Sequence, residues 1–140
     1  MDAIKEFFKN DRFASHSGVE LIQVNPGQAT ARMTIQQSHL NGWNTAHGGA
    51  IFTLADFAFA AAANSHGTLA VAVNVSITFM KAARSGTLTA EAREISANPK
   101  LASYTVEVRD EQQDLVAVFQ GLAYRKKEVL PLKNQTTARD

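Results

Sequence analysis

Cysteine is absent from this chain of 140 residues. That excludes disulfide frameworks, thiol nucleophiles, zinc ribbons and iron–sulfur sites. No charge of one sign dominates either: the formal net charge is +1. Residues 125–140 carry five basic and two acidic side chains, so residues 1–124 hold about two net negative charges. A chain without a basic surface is a poor fit to nucleic acid. Long hydrophobic runs are missing as well. The most apolar stretch, residues 50–63, is interrupted by Thr53 and Asp56 and falls short of the roughly 20 residues that span a bilayer. The first residues, Met-Asp-Ala-Ile-Lys-Glu-Phe-Phe, lack a basic start and a cleavage site, so no secretory signal is expected and the cytoplasm is the expected compartment. No phosphate loop, dinucleotide fingerprint or Gly-x-Ser-x-Gly setting occurs, and the four histidines show no metal-like spacing.

What remains is a composition that folds: 45% apolar and 19% charged residues, in one domain of ordinary length. Ile4, Phe7 and Phe8 fall at helical spacing, which predicts an amphipathic helix over residues 2–16. Residues 19–24 and 29–35 alternate around the turn Asn25-Pro26-Gly27-Gln28 and predict a hairpin. A polar loop over 36–47 leads into one long helix, from 48 to about 64, that is apolar almost all the way round and must be buried on most faces. Gly67 suits its end. Four strands then follow, over 71–80, 87–95, 104–109 and 115–125, the first in strict alternation. Residues 126–140 are polar and aperiodic and predict a frayed tail after a single domain over 1–125. Strands set apart from helices give an α+β fold, with a curved antiparallel sheet wrapped around the apolar helix.

Asp56 is the oddest residue of that helix, flanked by Leu54, Ala55, Phe57 and Ala58. Burial raises a carboxylate's pKa, and such a group serves as nucleophile or general base. A buried Asp bonded to a neighbouring loop is the plainer reading. His47-Gly48-Gly49 opens the helix, where bare backbone N–H groups and the helix dipole favour a developing oxyanion; a tight loop-to-helix turn is the alternative. Asn41 sits on the loop feeding the helix and orders that loop, positions His47 or holds a water. Eight residues separate Gly48 from Asp56, about 12 Å along a helix. One carbonyl cannot touch both. Two antiparallel copies of the helix about a two-fold would bring Gly48 of one chain near Asp56 of the other. His16, His39 and His66 read as surface or loop histidines, and Lys81, Arg84 and Lys100 as solvated charges at strand ends and turns.

Leu40-Asn41-Gly42, then His47-Gly48-Gly49, then Phe52-Thr53-Leu54-Ala55-Asp56 resemble the hotdog-fold acyl-CoA thioesterases, most closely their phenylacetate-degradation branch. The resemblance runs from about residue 11 to 125. It implies a five- or six-stranded antiparallel sheet around a central helix, a homodimer as minimal unit with shared sites, and pairing of dimers into tetramers. It implies hydrolysis of an acyl- or aryl-acyl-CoA thioester, with phenylacetyl or short to medium acyl groups, and needs no cofactor and no metal. Asp56 would attack the thioester or activate water, the Gly48 N–H would polarise the carbonyl, Asn41 would order the site, and His47 would support the loop. Two departures stand out. The run Met80-Lys81-Ala82-Ala83-Arg84 lacks the proline that relatives often carry, which predicts a loosened segment. Ala72 stands where some relatives place a hydroxyl, leaving Asn74 or Ser76 as substitutes. A non-catalytic acyl-CoA-binding module and a hotdog dehydratase or hydratase are the competing functions. The latter lacks its Asp-x-Asn-Pro-x-x-x-His pattern here.

Overall fold

The structure is a computed structural model and describes residues 1–132. Its strands are β1 (Val19–Asn25), β2 (Gln28–Thr34), β3 (Thr68–Phe79), β4 (Thr87–Ala97), β5 (Leu101–Arg109) and β6 (Leu115–Val129). Every pairing is antiparallel, in the order β1-β2-β4-β5-β6-β3, so β1 and β3 form the two edges. The central helix α3 (Gly48–Ala63) lies in the concave side of this sheet. A six-stranded sheet around one long helix is the α+β architecture the sequence predicts.

Nine of the sixteen residues of α3 are buried, among them Leu54, Ala55, Ala58 and Ala61 at zero exposure. The alanines let the sheet approach closely, and Phe59 fills the space between Tyr104 and Phe119. Gly121 on β6 is what admits that ring: a Cβ built there would sit 2.7 Å from Phe59. Beyond the first turn, where Gly48, Gly49 and Ala50 are open, only Phe52, Thr53, Asp56 and Ala60 stay partly open, at three- and four-residue spacing along one face. The helix end is fastened by side chains. Asn64 Nδ2 donates to the carbonyls of Ala60 and Ala70, and its Oδ1 accepts the Ala70 N–H; Ser65 Oγ donates to Ala62 and accepts from Gly27 in the β1–β2 turn. Gly67, at φ +89°, then turns the chain into β3 as expected.

Three sequence expectations need correction. Residues 2–16 do not form one helix. They form α1 (Asp2–Phe7), a short 3₁₀ turn and α2 (Arg12–His16). The break comes at Asp11, whose backbone is extended and whose side chain accepts the Ala14 N–H at 3.0 Å, an N-cap that starts a new helix. Phe8 anchors the segment by meeting Phe57 of α3 edge-on at 5.7 Å. Lys5 Nζ donates to the Ile22 carbonyl on the edge of β1, where the register shifts. The last strand does not end at 125 but runs to Val129, and Leu130 and Leu132 are buried. The rest of the expected tail, residues 133–140, lies outside the described residues. The alternation of β3 is not strict either. Ala72 pairs with Ala123 but Asn74 with Leu122, so Val73 is an extra residue in a bulge.

We expect Gly121→Ala to lower unfolding free energy by about 1–3 kcal/mol in urea titration, because the Phe59 ring is enclosed and cannot step aside from an added methyl.

Candidate active site

The approach to α3 is a small closed loop. Leu40 and Ala46 form an isolated bridge, and Asn44 at its tip has φ of 60°. Asn41 organises the interior. Its Oδ1 accepts from the N–H groups of Trp43 at 2.9 Å and Thr45 at 3.2 Å, and its Nδ2 donates to Thr45 Oγ1 at 3.0 Å. Among the roles open to Asn41, the bonds in this chain are those of a loop-ordering residue. Two backbone bonds hold the loop in place, Ala46 N–H to the Ala83 carbonyl and His47 N–H to the His39 carbonyl, both at 2.7 Å.

His47 is the N-cap of α3. Its Nδ1 accepts the Gly49 N–H at 2.8 Å, which puts the neutral ring's proton on Nε2. The Ala50 N–H goes to the His47 carbonyl. Of the N–H groups at this end, that of Gly48 has no acceptor among the described residues. Bare glycine fits here because the Phe79 ring lies against it; a Cβ at Gly48 would come 3.1 Å from that ring. His47, Gly48 and Asn41 thus share one end of the site.

Asp56 lies elsewhere, two turns along the helix. It is half-buried, and no hydrogen bond or ion pair reaches its side chain among the described residues. It opens into a pocket of about 300 Å³ lined by Asp11, Phe13, Ala14, Phe52, Thr53 and Phe57. Loss of water raises its pKa above the ordinary aspartate value, and the negative Asp11 adds to the rise. The sequence points to Asp56 but not to Asp11 or Phe13. Their only local signal is the Asn10-Asp11 cap in front of a short helical pattern, since contact between residues 11 and 56 has no sequence period.

Other candidates fall away from this centre. Asn74 and Ser76 pair with Leu122 and Gln120, on the face opposite Gly121 and α3, so neither replaces a hydroxyl beside Asp56; Ala72 shares the helix-side face of Ala123. The segment 80–84 is not loose. Met80 N–H bonds to the Val116 carbonyl, the Ala83 carbonyl holds Ala46, and Lys81 Nζ donates to Asp110 at 2.6 Å and Asp114 at 2.7 Å. Those carboxylates engage Lys81, whereas Arg84 and Lys100 have no side-chain partner among the described residues. His39 is a loop histidine as expected, but a buried one. Its Nδ1 accepts from Gln36 and its Nε2 donates to the Ser17 carbonyl at 2.6 Å, tying α2 to the loop. His66 bonds to Glu94. No group of three metal-ligating side chains comes together among the described residues. No helix among them is long and apolar enough to cross a membrane.

A sequence profile described as thioesterase superfamily matches residues 44–117, more than half of the chain and the part that holds His47, Gly48 and Asp56. The chain belongs to the thioesterase superfamily. Its sheet around α3 is the hotdog fold of that family, and its activity class is thioester hydrolysis. Among relatives, the acyl-coenzyme A thioesterase PaaI of Escherichia coli K12 is 39% identical over 119 residues, 84% of this chain and 85% of that one. The solved E. coli PaaI structure, from the phenylacetic acid degradation operon, superposes with a TM-score of 0.85 at 37% identity, covering 89% of this chain and 91% of that one. An asparagine-to-aspartate mutant of the phenylacetic acid degradation protein PaaI from Thermus thermophilus superposes with a TM-score of 0.79 at 34% identity, covering 83% of this chain and all of that one.

A carboxyl-resolved NMR titration is expected to show Asp56 protonating above the usual aspartate range. Asp11→Asn removes the neighbouring charge but keeps an N-cap acceptor. The Asp56 midpoint should then fall while remaining above its ordinary value, because burial is the larger cause.

Proposed function

We propose that this protein hydrolyses acyl-CoA thioesters to a carboxylic acid and CoA, in sites shared between two copies of the chain. The observation that carries this reading is the separation of two complementary groups on one helix. Among the described residues Asp56 is an unpaired carboxylate in a mostly apolar pocket, and the open N–H of Gly48 lies about 12 Å away at 1.5 Å rise per residue. Each is one half of an acyl-transfer site. The N–H polarises a carbonyl, and the carboxylate supplies the electron pair or takes the proton. The halves meet when two α3 helices lie antiparallel across a two-fold. The partly open stripe of Gly49, Thr53, Asp56 and Ala60 is the face available for that contact. The exposed ring of Phe79 on edge strand β3 adjoins it at Gly48. Pairing of such dimers into tetramers is the further assembly that the family resemblance supports.

The thioester carbonyl oxygen accepts from Gly48 N–H, so charge developing on it meets the positive end of α3. In one route Asp56 attacks the carbonyl carbon, the C–S bond breaks, and CoA thiolate leaves with a proton from water. Water then opens the acyl–aspartyl anhydride. In the other route Asp56 takes a proton from water as the water attacks, and the thiolate receives that proton on departure. Both use only protein groups and water. His47 and Asn41 touch no reacting atom in this scheme and act as positioning residues: His47 caps the helix, and Asn41 fixes the loop that delivers it. The raised pKa of Asp56, caused first by its burial and then by the negative Asp11, makes it a stronger base than an exposed aspartate. The CoA substrate class is supported by the E. coli relative, which is named as an acyl-coenzyme A thioesterase.

Thiol release from phenylacetyl-, benzoyl-, short-, medium- and long-chain acyl-CoA is expected for the native chain, with at least ~100-fold loss in Asp56→Asn. Unchanged turnover in that variant would refute the mechanism, and tight ester binding without thiol release would favour a binding module. Sharing of sites has its own test. Gly48→Pro removes the N–H yet suits the first position of a helix. Mixed with Asp56→Asn by co-refolding, it should restore about a quarter of native activity, since half the dimers would hold one intact site of two. No restoration would place the site within one chain.

A further inference from the structure

We propose that Phe13 is the specificity-determining wall of the acyl pocket, favouring flat aromatic acyl groups over linear aliphatic ones; this rests on the thioesterase reading above. Phe13 stands on α2, ahead of the stretch matched by the superfamily profile, and 69% of it is exposed although it lines the Asp56 pocket. Nothing in the chain's own core accounts for that ring. Its neighbour Ala14 makes the buried contact of α2, so Phe13 could be polar without loss to the fold.

Its position is held from three sides. The Asp11 cap sets the start of α2, the His39 bond to the Ser17 carbonyl sets its end, and Phe8 against Phe57 fixes the segment before it. An apolar ring is therefore presented to the pocket at a defined place, facing a space that Phe52 and Phe57 bound from α3. An apolar cavity of about 150 Å³ holds benzene. A pocket of about 300 Å³ therefore takes a phenyl group with its linking methylene and carbonyl. Among rings, stacked or edge-on contact adds to simple area burial, and a linear chain gains only the area. A wall of this kind binds the acyl group in ground and transition state alike, so its signature lies in KM more than in kcat.

The test compares phenylacetyl-CoA with hexanoyl-CoA in the native chain, Phe13→Leu and Phe13→Ala. Leucine keeps the apolar bulk and removes the ring face. We expect Phe13→Leu to lower kcat/KM for phenylacetyl-CoA by about 10-fold, mostly through KM, and to change hexanoyl-CoA by about 2-fold or less. Phe13→Ala should weaken both, the aromatic ester more. Equal losses on both esters, or no loss on either, would overturn the proposal. So would dissociation of the assembly on size exclusion, which would mean that the ring serves contact between copies. Equilibrium binding of the two non-hydrolysable thioether analogues repeats the comparison without turnover. A chain that hydrolyses neither ester would refute the thioesterase mechanism, and the analogue affinities would still decide for or against Phe13.

Discussion

Everything in this fold follows from the need to keep α3 out of water. A helix carrying Ile51, Leu54, Phe57 and Phe59 among alanines has no face suited to solvent. Six strands curl around it, and contact with it explains the small residues of the sheet. Ala31, Ala90 and Ala117 are fully buried, and Gly121 yields its side-chain space to Phe59. One sheet cannot close completely around a helix. The part left over is the stripe through Gly49, Thr53, Asp56 and Ala60, so the place where burial fails is also the place where the proposed site lies.

That origin explains the character of the site. Asp56 is costly because its surroundings are those of a core position with one side missing, and among the described residues no cation offsets its charge. The N-terminus of α3 is made differently. Its N–H groups are shared out to the His47 ring and carbonyl until one remains. The first half of the proposed site is tuned by dehydration and the second by occupancy of neighbouring donors. The loop carrying Asn41 contributes rigidity: its bonds close on itself and on residues 39 and 83.

The elements with a period were legible in the sequence: the hairpin, the apolar helix and the alternating strands all stand near their expected places. Asp56 was legible because a carboxylate breaks that helix's pattern, and His47-Gly48-Gly49 because it opens it. Contacts between distant residues were not. Asp11 reads as one more charge on an amphipathic helix, yet it ends that helix and faces Asp56. His39 looks like a loop histidine, yet both ring nitrogens are satisfied by backbone groups in the interior. The bulge at Val73 decides which face Asn74 and Ser76 occupy, and an unbroken alternation of apolar residues conceals it. Leu130 and Leu132 are isolated in a polar stretch and show no period, although both reach the core.

The two edges of the sheet are unlike. At β1, the Lys5 ammonium occupies a carbonyl and α1 and α2 crowd alongside. At β3, twelve residues run along an edge that no other strand covers, with Val71 and Val73 exposed. A sheet with one guarded border and one open border can be extended in a single direction. When two such open borders meet, both are used up and only guarded ones face outward. Growth by edge pairing would therefore stop at two copies, and the same long strand that would seed a fibre in a sheet open at both ends could here enter only a closed pair.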